Sequence, residues 1–182
     1  MDVQGSVQNH NNMKSAITLF LLLLSFVCWS QYPEGDMINF YGKTTRMNLK
    51  DSTEKPLDGV KIEFWSNAEL LGEFTTVKKG GYTYNLPFRK SYTVKFIADQ
   101  YVTKIIEVGI DKFYDEADKR GLKMQIDVAL FKDSGFMGLD FMREVPVAKA
   151  EYIPRKKTLV WDDKYRKNIQ VRMVSVLKAY GY

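Results

Sequence analysis

The chain has 182 residues, of which 45% are hydrophobic and 14% aromatic, and 27 Lys and Arg against 22 Asp and Glu give it a net charge of +5. Its one His, His10, and its one Cys, Cys28, both lie in the first thirty residues. Without that stretch the chain can hold no disulfide, no His or Cys zinc site and no Cys or His nucleophile–base pair, so its stability rests on an apolar core. About 150 residues are enough to build one.

From Met13 the sequence reads MKSAITLFLLLLSFVCWSQ. Lys14 supplies the positive start. Ala16 to Val27 form an apolar run of about a dozen residues, too short for a comfortable membrane span. Cys28 and Ser30 put small residues at −3 and −1 of a cut before Gln31, the pattern a signal peptidase needs. Residues 1–30 are therefore expected to be a Sec signal peptide, and the polar residues 1–12 point to a start at Met13. An uncleaved anchor is one alternative, but no stop-transfer pattern flanks the run. A lipid-modified Cys28 is another, but the preceding Ser25-Phe26-Val27 lacks a leucine at −3 and a small residue at −1.

From Ile38 to Leu130 apolar residues recur at every second position. A first strand is expected near Asn39 to Leu49. Pro56 cannot donate to a central ladder and is expected at a strand entrance. Val60, Ile62 and Phe64 then share one face, with Lys61, Glu63 and Trp65 on the other. Residues 73–77 read as a short next strand. Gly80–Gly81 supplies positive φ for a hairpin over residues 78–96, with Tyr82, Tyr84 and Leu86 on one arm and Tyr92, Val94, Phe96 and Ala98 on the other. After a turn at Asp99–Gln100 come Val102, Ile106 and Val108. Residues 111–121 are charged and read as a long loop, with room for one helical turn. Leu122, Met124, Ile126, Val128 and Leu130 form the last strand. Strict alternation of this kind marks strands with one face in a core and one in water. About seven of them, joined by short turns, predict a mainly β, antiparallel sandwich over residues 31–130.

After Phe131 the period is lost until the end of the chain. Residues 131–182 are expected to be an irregular extension followed by a helix, both packed on the sandwich, because Phe136, Phe141, Val147, Tyr152 and Trp161 are costly to leave in water. Ile169, Met173, Val176, Leu177 and Tyr180 fall at helical spacing, with Asp162 or Asp163 as N-cap and Gly181 as stop.

Lys55-Pro56-Leu57 with Gly59-Val60, Gly81-Tyr82 through Leu86, Tyr92-Thr93-Val94 and Asp99-Gln100-Tyr101 together resemble the carboxypeptidase-regulatory-like, or transthyretin-like, domains of exported Bacteroidota proteins. The resemblance covers about residues 40–108 and departs from the family at Gln100, where glycine is commoner. It implies a seven-stranded immunoglobulin- or transthyretin-like sandwich serving as a non-catalytic accessory or attachment domain of the cell envelope. It carries no active-site residues to transfer and no cofactor.

Several residues are candidates for chemistry. Asp162 and Asp163, and Asp115, Glu116 and Asp118, are candidates for acid–base work, but a glycosidase needs two carboxyls held apart across a cleft, and neighbouring carboxylates are more often caps or solvated faces. Trp65, opposite the apolar face of its strand, is the candidate centre of a glycan-binding aromatic surface; the competing expectation is that the C-terminal segment covers it. Residues 143–182 hold ten Lys or Arg and four Asp or Glu, whereas residues 31–142 hold sixteen and seventeen. The basic end predicts a surface for an acidic partner or an anionic surface or polymer, carried by Arg155, Lys156, Lys157, Lys164, Arg166, Lys167 and Arg172. Nucleic acid is excluded as a partner by the export signal and the lack of a recognition motif. The expectation is an exported, non-enzymatic accessory subunit of an envelope or outer-membrane complex, in the periplasm, at the outer-membrane periphery or on the cell surface. The alternative is a carbohydrate-binding module.

Overall fold

In β1, Met37–Met47, the even positions Ile38, Phe40 and Thr44 are buried and the residues between them are partly or fully in water. The computed structural model describes residues 37–88, 91–112 and 122–182, all within the unit Glu34–Tyr182. β1 is the centre of the first sheet. Along one edge it pairs antiparallel with β5, Gly81–Pro87, and then with the short β2, Glu54–Pro56. Along the other it pairs parallel with β8, Lys123–Gln125, and then β9, Val128–Leu130. Between these two Ile126 reaches over Gly42, where a Cβ would lie 2.1 Å from the Ile126 carbonyl oxygen. The stretch expected as one strand is thus two, parallel to β1.

The second sheet has the order β11-β10-β7-β6-β3-β4. Its members are β3, Lys61–Ser66; β4, Glu69–Thr75; β6, Ser91–Ile97; β7, Lys104–Gly109; β10, Ala148–Ile153; and β11, Thr158–Trp161. β4 starts at Glu69, four residues before the expected strand, because Asn67 and Ala68 both take positive φ, 49° and 65°, and close a tight hairpin without glycine.

The expected hairpin over residues 78–96 is not one. β5 belongs to the first sheet and β6 to the second, so the chain changes layers between them. The positive φ values fall on Lys79 and Gly80, at 64° and 69°, while Gly81 is extended at −72°. Gly80 is also held close: a Cβ there would sit 2.1 Å from the Thr44 carbonyl oxygen. The turn after β6 keeps its expected place, with Gln100 at φ 62° where glycine would be easier.

The segment after Phe131 is more regular than expected. α1, Phe141–Glu144, is followed by β10, which pairs parallel with β7, and by β11, which pairs antiparallel with β10. Ala148, Ala150 and Tyr152 point into the core, so this segment extends the second sheet. The class is as expected, a mainly β two-sheet sandwich with a C-terminal helix, but the sheets are mixed and hold eleven strands among the described residues.

The core between the layers is aromatic. Phe40 lies 5.5 Å from Phe64 and 5.1 Å from Tyr92, and Phe64 stacks on Tyr84 at 5.1 Å. Tyr82 satisfies its buried hydroxyl by donating to the Ile126 carbonyl at 2.7 Å, and burial pushes its phenol pKa up. A second, smaller cluster gathers Val102, Phe131, Phe136, Leu139, Phe141 and Met142. It is covered by α2, Asp163–Ala179.

Candidate interaction surface

α2 forms because Asp162 caps it, its carboxylate accepting from the Tyr165 backbone N–H at 2.9 Å, and because its apolar stripe has somewhere to go. Ile169, Met173, Val176 and Leu177 pack into the second cluster as their spacing predicts. Tyr165 donates its hydroxyl to the Pro146 carbonyl at 2.8 Å, and Tyr180 accepts from the Met137 backbone N–H at 2.9 Å, so both ends are tied down. The position opposite this stripe is occupied by Lys164, Lys167, Val171, Val174 and Lys178, at i, i+3, i+7, i+10 and i+14. Val171 is 67% exposed and Val174 36%. The only acidic residue within the helix, Asp163, is taken up by Arg166 at 2.8 Å.

The seven basic residues expected to act together fall into three places. Lys164 and Lys167 point outward. Arg166 and Arg172 flank the docked stripe, Arg172 lying 3.8 Å over the Phe141 ring. Arg155, Lys156 and Lys157 form the turn between β10 and β11, with Lys157 at φ 50°. The four residues of β11, about 13 Å of extended chain, separate that turn from the helix cap Asp162. The two valines were not singled out in the sequence, although the helical wheel that identifies the buried stripe also places them opposite it.

Trp65 is half-buried on the outer face of the second sheet. Its indole N–H donates to Glu63 at 3.0 Å and the Lys95 amine sits 5.0 Å over its ring, so its partners come from its own sheet rather than from the C-terminal segment. Glu63 also bonds Lys61 at 2.6 Å, which holds the Glu63 carboxyl below the usual range and raises the Lys61 amine. On the same sheet Lys149 pairs with Glu107 at 2.6 Å, which raises its pKa. Charged pairs, not a row of rings, surround Trp65.

The candidate acids are separated in the same way. Asp162 is a cap and Asp163 an ion-pair partner, while Asp115, Glu116 and Asp118 lie outside the described residues. Among the described residues no three His, Cys, Asp or Glu converge on a metal position, and no helix is long and apolar enough to cross a membrane. The expected signal segment also lies outside the described residues.

One polar group was missed. Lys104 occupies the inward position between Val102 and Ile106 and pairs across the strands with buried Phe96. The signal was present as a lysine in the apolar phase of a strand. It lines a cleft of about 500 Å³ between the sheets and α2. Desolvation pulls its pKa down to about 8, against the smaller opposing pull of Glu54.

No family model matches the chain, and no curated protein matches its sequence. Solved structures do resemble it. A minor pilin, GBS52, from Streptococcus agalactiae shares 13% identity at a TM-score of 0.37, over 53% of this chain and 45% of the pilin. A chlorocatechol 1,2-dioxygenase from Pseudomonas putida shares 11% at 0.42, over 56% and 63%. The Bacillus anthracis TIE protein shares 18% at 0.35, over 52% and 17%. In each case the chain spans less than two thirds of the protein it resembles. These likenesses concern the β-sandwich alone. They nevertheless correct one expectation: dioxygenases, with two further catechol 1,2-dioxygenases at 12% and 11% identity, stand among the similar structures beside the pilin and the TIE protein. The expectation that this chain is not an enzyme is therefore withdrawn; the likeness, at TM-scores near 0.4, assigns it no reaction.

Proposed function

We propose that this chain is an exported interaction protein of the cell envelope, built on a carboxypeptidase-regulatory-like sandwich of the Bacteroidota type, that joins an envelope or outer-membrane complex through its basic C-terminal helix. The observation that carries the reading is the outer face of α2. Two valines stand exposed between Lys164, Lys167 and Lys178, on a helix whose other face and both ends are already held. A rigid helix so presented loses little freedom on binding, and its lysines attract an acidic surface while its valines reward close contact. The motif-bearing strands and the apolar segment after Met13 support the family and the export.

The test replaces the outer face alone, as Lys167→Glu, Val171→Asp, Val174→Asp and Lys178→Glu together. Truncation near Leu130 would be uninformative, since it removes β10 and β11 from the second sheet. The wild-type protein is expected to capture an acidic envelope protein that the variant does not, and rising salt is expected to release it. Identical captures by the two proteins would sink the reading.

A further inference from the structure

The cleft beneath α2 has the makings of a binding site. Its walls are apolar, with Ile106, Val128, Met142, Trp161, Ile169 and Met173 among them, and about 500 Å³ lies between the walls. That is within the range of small-ligand pockets. Polar groups are few: Lys104 from β7, Gln125 and Asp127 from the first sheet, Arg166 and Gln170 from α2.

These polar groups are not equivalent. Asp127 accepts from the Lys43 backbone N–H at 2.9 Å and from the Gln125 amide at 2.7 Å. Arg166 is held by Asp163. Lys104 is different: among the described residues no hydrogen bond or ion pair engages its amine, which lies 5.5 Å over the Phe131 ring and feels the Glu54 carboxylate without bonding it. A desolvated ammonium with no anion in hydrogen-bonding reach is costly, and a packed apolar side chain at this position would avoid the cost. An anion entering the cleft would remove it.

We propose that this cleft binds an amphipathic monocarboxylate, a fatty-acid-like molecule whose chain lies against the apolar walls and whose carboxylate pairs with the Lys104 amine. Arg166 is taken up by Asp163 and Asp127 by Lys43 and Gln125, so among the described residues Lys104 is the charged group of the lining left without a hydrogen bond or ion pair, which matches a single carboxylate and not a multiply charged anion. Lys104 here is a binding residue and the proposal assigns it no chemistry. The site shares no residue with the outer face of α2, so its failure would leave the docking reading standing, and the reverse holds.

The test uses decanoate and decan-1-ol, which share a chain and differ in the head group, titrated calorimetrically into the protein. Decanoate is expected to bind one per chain and at least tenfold more tightly than the alcohol at pH 7. In Lys104→Met, which keeps an unbranched chain one atom shorter and removes the charge, the two are expected to bind alike. The charged groups that share the cleft with Lys104 are Asp127 and Arg166, and Glu54 of β2 acts on its amine from outside the cleft lining. The affinity for decanoate should fall as pH passes about 8 in the wild type and stay level in the variant. Met173→Trp, which fills the cleft, should abolish binding of both while leaving the far-ultraviolet circular dichroism unchanged. The proposal is overturned by no saturable binding, by equal affinity for acid and alcohol in the wild type, by preference for the acid surviving in Lys104→Met, or by undiminished binding in Met173→Trp.

Discussion

Between the sheets, Phe40, Phe64, Tyr92 and their neighbours meet from strands that alternate strictly. Beneath α2, Phe131, Phe136, Phe141 and Met142 meet from a segment with little regular structure of its own, and a single helix closes over them. The first cluster is built from many strands at once and can only be lost with the whole fold. The second depends on one helix and opens when that helix lifts. What differs is not the chemistry of the side chains but how many separate elements must move to expose them.

The sharpest way to break this contrast is at Phe64, which is fully buried and touches both Phe40 and Tyr84. Phe64→Ala should lower stability by about 3–5 kcal/mol, seen as a fall in the denaturation midpoint reported equally by every probe. Leu177→Ala removes a 6% exposed side chain from the second cluster. A loss of about 2–3 kcal/mol is expected there. It should appear first as faster amide exchange in α2, with the strands still protected; simultaneous loss of protection everywhere would mean that the two clusters are one.

Lys104 lies between them, opposite Phe96 of the first and over the ring of Phe131 of the second. Its folded pKa is below that of a free lysine, so the folded state binds the proton less tightly than the unfolded state does. Below about pH 8 both states are charged and the fold bears the full penalty; the penalty fades as pH rises from about 8 towards 10.5. Lys104→Met should therefore stabilise the protein by about 1–2 kcal/mol at pH 7, discounted for the partial exposure of the side chain, and the gain should shrink across that window. A gain independent of pH would show that packing, not charge, sets the difference. The smallest effect is expected from Asp162→Ala, which removes the helix cap for about 1 kcal/mol and should again loosen α2 before the strands.

Most of the first cluster could be read from the order of residues, because period-two alternation places Val60, Ile62, Phe64, Val94 and Phe96 on one face whatever their partners. Pairing was less legible. β5 and β6 look like a hairpin in sequence because a layer change and a tight turn leave the same local signature. β10 was missed because Ala148 and Ala150, being small, are weak markers of a buried face, although Tyr152 keeps their phase. The stripe of α2 was plain, since helical spacing needs no partner to be recognised. Of the surface, the basic residues were visible one by one, but their division between a turn and a helix at opposite ends of β11 depends on the pairing of β10 with β11. Lys104 went unremarked because a lone lysine in an apolar phase reads locally as an interruption.

The arrangement around β1 also constrains the order in which the molecule can assemble. Its N-terminal half must wait for β5, some forty residues on, and its other edge for β8 and β9, more than eighty residues on. β7 likewise has no partner on one side until β10 is made. Pairings so distant are slow to close, placing this chain among the millisecond-to-second folders. Until residue 130 has emerged, the strand at the centre of the first layer keeps an open edge, and the newly made chain stays pliable for most of its length.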